Sequence, residues 1–127
     1  MTEARLALGA WGEEQAALYL RRQGWCIVVR NLRTPVGEID LLVRNRRHLV
    51  FVEVKSRRSV RYGVPAEAVG ARKQRQIIQA ARWYLAENGL GRLQPRFDVV
   101  AVLGEPGSEF RIEHIEDAFG AEGWDGP

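Results

Sequence analysis

The stretch 36-VGEIDLLVRNRRHLVFVEVKSRR-58 contains two apolar runs, GEIDLLV and LVFVEVK, each with the length and composition of a buried strand. The short polar connection NRRH between them predicts an antiparallel hairpin. Asp40 interrupts the first run, and Glu53 and Lys55 interrupt the second. Burying a charge is costly unless the charge is paired or binds a metal ion. These three charges therefore need partners inside the fold.

The alternation of side chains along a strand puts Phe51, Glu53 and Lys55 on one face, and Asp40 on the same face of its own strand as Leu42. If the hairpin register brings these faces together, the two carboxylates and the lysine converge. Adjacent carboxylates repel each other, and a divalent cation such as Mg²⁺ or Mn²⁺ removes that repulsion and leaves room for phosphate oxygens. A lysine beside the metal steadies the attacking water or the charge developing at phosphorus. The pattern favours metal-dependent hydrolysis of a nucleic-acid backbone.

The rest of the sequence predicts two helices and three more strands around this hairpin. The predicted elements are a helix over 4–23, a strand over 25–30, a turn or loop over 31–37, strands over 38–44 and 49–56, a helix over 71–88, and strands over 96–103 and 110–115. The order α-β-β-β-α-β-β predicts an α/β fold, with a mixed sheet of about five strands flanked by helices. We expect one domain over 1–118 and an acidic tail over 119–127.

An acid interrupts the predicted apolar stripe of the first helix. Leu6, Ala10, Ala17 and Leu20 recur at helical spacing, and Glu13 falls among them. An acid at this position either lies at the edge of the stripe or points into a site that requires it.

Composition is that of an ordinary folded protein, with 46% hydrophobic and 28% charged residues. The absence of a long apolar run or a signal peptide, together with a single cysteine, predicts a cytoplasmic protein without membrane contact. From Arg30 to Arg61, nine Lys or Arg residues accompany three acids. Such a basic surface suits a polyanion, although arginines on loops and strand ends are also ordinary solvated surface. Only two of the 19 basic residues are lysines, so Lys55 marks a position where an arginine does not fit.

GEID followed by VFVEVKSR resembles the PD-(D/E)XK nuclease superfamily, which includes archaeal-type Holliday junction resolvases and many restriction endonucleases. The whole chain, from GAWGEEQAALYLRRQGW to HIEDAF, resembles the YraN-type family of uncharacterised bacterial proteins. The resemblance implies a restriction-endonuclease-like core, metal binding by Asp40 and Glu53 with the Val54 carbonyl, and a catalytic role for Lys55. It also implies that Glu13 joins the metal site or handles a proton. Likeness to the resolvases implies branched DNA as substrate and a homodimer.

Several further residues are candidates for supporting this site. Glu38 precedes Asp40 by two positions on the same strand face, so it either assists the metal site or is a surface acid. Gln74 lies near the start of the second helix and either reaches the site or is a capped or partly exposed glutamine. Three arginines that follow the site are candidates for binding phosphates: Arg57, Arg58 and Arg61.

Other polar residues are interpreted as structural. Lys73 is interpreted as a solvated residue of the second helix. Asp98 interrupts an apolar strand and is expected to form a hydrogen bond or an ion pair with a neighbouring arginine. His114 shows no partner arrangement in the sequence.

Three functions are compatible with these patterns. The first is a Mg²⁺- or Mn²⁺-dependent deoxyribonuclease that acts on structured or damaged DNA. The second is a non-catalytic nucleic-acid-binding module that retains a nuclease fold. The third is a small interaction protein in which the acids and lysine form a structural ion-pair network.

Overall fold

Two helices and five strands follow one another in the predicted order α-β-β-β-α-β-β. They are α1 (Glu3–Arg22), β1 (Cys26–Thr34), β2 (Gly37–Arg44), β3 (His48–Arg57), α2 (Ala71–Asn88), β4 (Gln94–Leu103) and β5 (Arg111–Ile115). The computed structural model describes residues 2–58 and 69–120, and Arg61 lies outside them. Neither helix in these ranges is long and apolar enough to span a bilayer. The predicted mixed α/β architecture is confirmed.

The five strands form one sheet in the order β1-β2-β3-β4-β5. Neighbouring strands are antiparallel except for β3 and β4, which run parallel from the His48–Gln94 pair to the Arg57–Leu103 pair. Parallel neighbours need a crossover connection, and α2 is part of that connection. In this order β3 is the central strand, with β2 and β4 as its neighbours.

Helices cover both faces of the sheet, and β3 contributes to both layers. Leu49 and Phe51 pack in one apolar cluster with the α2 residues Ile77, Ala80, Ala81 and Leu85. Val50, Val52 and Val54 pack in a second cluster with the α1 residues Ala16, Ala17 and Leu20. A strand buried on both faces reads as a continuous apolar run, which explains the sequence LVFVEV.

The β1–β2 hairpin is bent at Asp40. Ile39 and Leu42 both pack in the cluster with α2, whereas Leu41 packs in the cluster with α1. Strict alternation would place Ile39 and Leu42 on opposite faces, so β2 departs from regular strand geometry between them. The β1 residue opposite Asp40 in the register is Asn31, which has a φ of 52°. The bend turns the backbone at the residue that carries the carboxylate.

Two sequence predictions about local structure are wrong. The buried residues of α1 are Gly12, Ala16, Ala17 and Leu20, whereas Leu6 is 55% exposed and Ala10 is also exposed. The first turns of α1 line a cavity together with Arg57 and Arg58 at the end of β3, and among the described residues no buried apolar side chain comes from these turns. The segment 31–34, predicted as a turn, belongs to β1 because Leu32 packs against the cluster with α2.

The chain continues to pack on the core at the end of the described region. The ring of Phe119 is buried and stacks on Phe97 with a centroid distance of 5.2 Å. Phe119 lies one residue beyond the predicted domain end at 118. The rest of the predicted acidic tail, residues 121–127, lies outside the described residues.

Candidate active site

The strands β2 and β3 separate at the two acids that interrupt their apolar runs. Their pairing runs from Arg44–Leu49 to Leu41–Val52 and stops there, so the next positions in the register are Asp40 and Glu53. In place of another strand–strand bond, the Val54 N–H donates to Asp40 Oδ2 at 2.8 Å. β3 meanwhile stays paired with β4, so it is held in place while a gap opens towards β2.

Asp40 and Glu53 form a pair of neighbouring carboxyl groups in this gap, and each affects the pKa of the other. Burial raises the pKa of Glu53, which is 6% exposed, and the Asp40 charge adds to the effect, so that this pKa reaches about 7. Burial also raises the pKa of Asp40, against the lowering effects of the Val54 N–H and of nearby lysines. Because the pKa of Glu53 is about 7, the pair retains a proton on Glu53 until the pH rises to about neutral.

Two ammonium groups accompany the carboxyl pair. Lys55 Nζ lies 3.8 Å from Glu53 Oε1, and Lys73 Nζ lies 4.0 Å from Glu53 Oε2. The sequence predicted the approach of Lys55. It interpreted Lys73 as a solvated helix residue, and Lys73 is partly exposed but also lies within ion-pair distance of Glu53. A signal was present in the sequence, because Lys73 is the only lysine of the chain besides Lys55.

Glu13 approaches the carboxyl pair from α1. Burial raises its pKa, and the charges of Asp40 and Glu38 raise it further. Its Oε1 atom is buried and has no hydrogen-bond partner among the described residues. Glu13 also borders a cavity of about 160 Å³, together with Arg30 and Asn31. A carboxylate oxygen without a partner beside another acid is suited to bind a cation or a proton.

The predicted convergence of three carboxylates is not complete. Within residues 2–58 and 69–120, no group of three His, Cys, Asp or Glu side chains is arranged to hold a metal ion. Glu53 lies on the face of the sheet that is covered by α2, whereas Glu13 belongs to the helix on the opposite face. Asp40 and Glu53 affect the pKa of each other, and the charge of Asp40 raises the pKa of Glu13. Glu13 as a metal ligand stays a prediction.

Two residues considered as site support contact other groups. Glu38 is exposed and forms an ion pair with Arg33 at 3.8 Å. The Gln74 side-chain amide donates to the Val69 carbonyl at 2.9 Å and so satisfies the backbone just before α2. Glu38 fits the interpretation of a surface acid, and Gln74 is a partly exposed residue that bonds the backbone before α2.

A basic cavity lies at the end of β3, on the side of the sheet that α1 covers. It measures about 400 Å³ and is lined by Arg5, Arg57 and Arg58, together with Thr2, Ala4, Leu8 and Ser56. Arg58 also lies 3.6 Å from Glu105. Its lining includes Ser56, which follows Lys55 in the chain but faces α1, on the opposite side of the sheet from Lys55.

A separate polar cluster surrounds Asp98, which is fully buried. Arg96 donates two hydrogen bonds of 2.9 Å to its carboxylate, and the Asp117 N–H donates a third of 2.9 Å. The predicted ion pair with a neighbouring arginine is confirmed. The prediction that His114 lacks a partner is wrong. Its Nε2 lies 2.7 Å from Asp98 Oδ2, and its Nδ1 lies 3.1 Å from the Tyr19 hydroxyl. Burial alone would raise the pKa of Asp98, but these hydrogen bonds lower it.

The donor atoms at the fork between β2 and β3 suit a hard divalent cation. Mg²⁺ and Mn²⁺ prefer oxygen ligands, and the fork offers two carboxyl groups. The N–H and C=O of a strand residue point to the same side, so the Val54 carbonyl faces the gap into which its N–H points. The raised pKa of Glu53 and the unpartnered oxygen of Glu13 both indicate acids that lack sufficient positive charge. A divalent cation fits this set.

The mixed sheet, its two covering helices and the acid–lysine fork define an α/β protein with a candidate metal-binding site between diverging strands. The chain belongs to UPF0102, an uncharacterised protein family whose model matches residues 12–102. The matched segment contains the carboxyl pair and both lysines. The predicted membership of the YraN-type family is thereby confirmed.

Relatives cover nearly the whole chain. A UPF0102 protein of Syntrophotalea carbinolica is 60% identical over 98% of this chain and 100% of its own length. A relative in Desulfosudis oleivorans is 45% identical over 95% of this chain and 96% of its own, and one in Rhodococcus jostii is 50% identical over 90% and 97%. Among solved structures, Pyrococcus furiosus SfsA in complex with Ca²⁺ matches with a TM-score of 0.40 and 18% identity. That match covers 89% of this chain and 63% of the SfsA chain.

Proposed function

We propose that this protein is a metal-dependent endonuclease that hydrolyses phosphodiester bonds of structured or branched DNA with Mg²⁺ or Mn²⁺. The observation that carries the proposal is the carboxyl pair of Asp40 and Glu53 at the fork between β2 and β3. A buried carboxyl pair that retains a proton near neutral pH, with a lysine on each side of Glu53, lowers the stability of the fold. Such an arrangement is therefore more typical of a functional site than of a purely structural contact. A metal-binding role accounts for this arrangement.

The residues at the fork have distinct roles in this proposal. Asp40, Glu53 and the Val54 carbonyl hold the metal ion, which when bound supplies charge stabilisation at the phosphate and lowers the pKa of water. Lys55 orients the attacking water and stabilises negative charge on the phosphate oxygens. Glu13, whose pKa is raised by burial, exchanges a proton or completes the metal site.

Arg57 and Arg58 hold DNA phosphates in the basic cavity at the end of β3. Arg61, which lies outside the described residues, extends the same run of arginines in the sequence. Phosphate contacts bind DNA without reading its sequence, so branched or damaged DNA would be selected by shape. The homodimer expected from likeness to the resolvases would place two such sites on one junction.

The proposal is tested by incubating the purified protein with linear, flapped and four-way DNA in Mg²⁺ or Mn²⁺. We expect cleavage that EDTA abolishes and that the variants Asp40→Asn, Glu53→Gln and Lys55→Ala lose. Glu87→Gln, which changes an exposed acid on α2, is the matched control and retains activity. Absence of cleavage by the concentrated protein on every substrate, in both metals, would contradict the proposal.

A non-catalytic nucleic-acid-binding module is the second candidate. It is favoured by the absence of a three-carboxylate group in the described chain and by the two lysines that already accompany Glu53. In that case Asp40→Asn and Lys55→Ala would bind DNA as the wild type does, without cleavage. If the wild type binds no DNA even at low salt, the acid–lysine cluster belongs to a protein-interaction domain.

A further inference from the structure

Both lysines of this chain contact the same carboxylate. All 17 other basic residues are arginines, and they are distributed over helices, strands and loops. Lys55 comes from β3 and Lys73 from α2, yet their Nζ atoms lie 3.8 and 4.0 Å from the two oxygens of Glu53. A compact ammonium group on a flexible stem differs from a planar guanidinium, and both ammonium groups of the chain's lysines lie beside this one acid.

Lys73 is the more exposed of the two and has the stronger electrostatic effect on the acids. Its side chain is 41% exposed, compared with 23% for Lys55. Lys73 nevertheless lowers the pKa of both Asp40 and Glu53 more than Lys55 does. The separation of 4.0 Å from Glu53 exceeds hydrogen-bonding distance. Lys73 is therefore a loosely held cation at the open side of the carboxyl pair.

A divalent ion and Lys73 compete for the same negative charge. An ion bound by Asp40 and Glu53 would bring two positive charges close to the Lys73 ammonium, which now lies beside Glu53. Like charges at such distances repel strongly where burial reduces screening. Lys73 can move outward because its side chain is long and partly exposed.

We propose that Lys73 is a phosphate-contacting residue that acts as a substitute cation on Glu53 in the metal-free protein and turns to the DNA backbone when the metal binds. This inference rests on the proposed nuclease function and adds a second lysine to its substrate contacts. It gives Lys73 two opposite effects: it weakens metal binding and it strengthens DNA binding.

The first test is Mn²⁺ affinity, measured by isothermal titration calorimetry without DNA on the wild type and the variants Lys73→Ala, Lys73→Gln and Lys73→Arg. We expect the two neutral variants to bind Mn²⁺ roughly three- to tenfold more tightly, because a competing positive charge is removed. Lys73→Arg keeps the charge and stays near the wild-type affinity. Arg75→Ala, which removes an exposed cation from the same helix, is the control and leaves Mn²⁺ affinity unchanged.

The second test is cleavage of four-way DNA in two titrations. With DNA varied at saturating Mn²⁺, we expect Lys73→Ala to raise the KM for DNA. With Mn²⁺ varied, we expect Lys73→Ala to lower the Mn²⁺ concentration that gives half-maximal activity. A wild type that binds Mn²⁺ and a Lys73→Ala variant of equal or weaker Mn²⁺ affinity would overturn the proposed competition. Tighter Mn²⁺ binding with an unchanged KM would overturn the phosphate contact. A wild type that binds no Mn²⁺ would overturn the proposed nuclease itself, so the two failures are distinguishable.

Discussion

At the scale of single residues, Glu53 has the most unfavourable environment among the acids of the candidate site. It is buried beside another carboxyl group, and two loosely placed lysines do not fully compensate, so its pKa rises to about 7. The folded protein therefore binds more protons than the unfolded chain between the ordinary glutamate pKa and the raised one. By linkage, this residue makes the protein less stable as the pH rises through that interval.

Replacing Glu53 with glutamine removes this pH-dependent loss. Without metal, we expect the free energy of unfolding of Glu53→Gln to gain about 2 to 3 kcal/mol relative to the wild type between about pH 4 and about pH 8. Urea denaturation across that range measures the difference. Glu87→Gln, on the exposed surface of α2, serves as control and shows no such trend. Parallel curves for Glu53→Gln and the wild type would contradict the raised pKa.

The sequence predicted the carboxyl pair but not all of its surroundings. Asp40, Glu53 and Lys55 could be placed together because strand alternation and a short hairpin constrain their positions. Lys73 could not, because its position depends on how α2 crosses the sheet, which local patterns do not encode. Glu13 was recognised by its unusual place in an apolar stripe, but the distance between α1 and the fork follows from helix–sheet packing.

At the scale of elements, α1 approaches β3 most closely at Gly12. A Cβ atom at this position would collide with Ser56 Oγ and come within 3.0 Å of Ser56 Cβ. Ser56 follows Lys55, and Gly12 precedes Glu13, so this crossing brings the acid of α1 towards the fork. The same crossing explains why the predicted stripe fails at Leu6 and Ala10, which precede the point of contact.

Gly12→Ala forces α1 away from β3, and we expect it to lower the free energy of unfolding by about 1 to 3 kcal/mol. Gly9→Ala is the matched control, because a Cβ atom there has no neighbour within 4 Å. In a helix interior that change raises stability by up to about 1 kcal/mol. Thermal and urea unfolding of both variants provide the measurement. Equal effects of the two substitutions would argue against the close crossing.

At the scale of the whole molecule, the Asp98 cluster joins elements that are far apart in the chain. It links Tyr19 on α1, His114 on β5 and Arg96 on β4, and it holds the backbone of Asp117 after β5. The sequence predicted its arginine partner two positions away. The longer-range partners depend on the antiparallel pairing of β4 with β5 and on the position of α1, so they followed only from the fold.

Asp98→Asn preserves the size and shape of the side chain but removes the negative charge of the carboxylate. We expect a loss of about 2 to 4 kcal/mol in the free energy of unfolding at neutral pH. Because the pKa of Asp98 is lowered in the fold, its contribution is present above the ordinary aspartate pKa and is lost as the pH falls through the lowered value. The difference between wild type and variant should therefore shrink in acid, as urea denaturation would measure.

Asp117→Asn is the matched control, since it keeps the backbone N–H that donates to Asp98 and tolerates the φ of 51° at this position. Its free energy of unfolding should stay within about 0.5 kcal/mol of the wild type. If Asp117→Asn lowered the free energy of unfolding as much as Asp98→Asn does, then negative charge near β5 in general, and not the buried Asp98 carboxylate, would stabilise the protein.

The parallel pairing of β3 with β4 also affects how the protein is made. A nascent chain that has emerged only as far as Asn88 contains the hairpin and both helices, but β3 has no neighbour on its second edge. Unpaired apolar strand edges invite association with other chains, and slow nonlocal pairing prolongs their exposure. The chain must therefore emerge as far as Leu103 before β3, which carries Glu53, is paired on both edges. The interval before the last two strands emerge is thus the stage most vulnerable to misassembly.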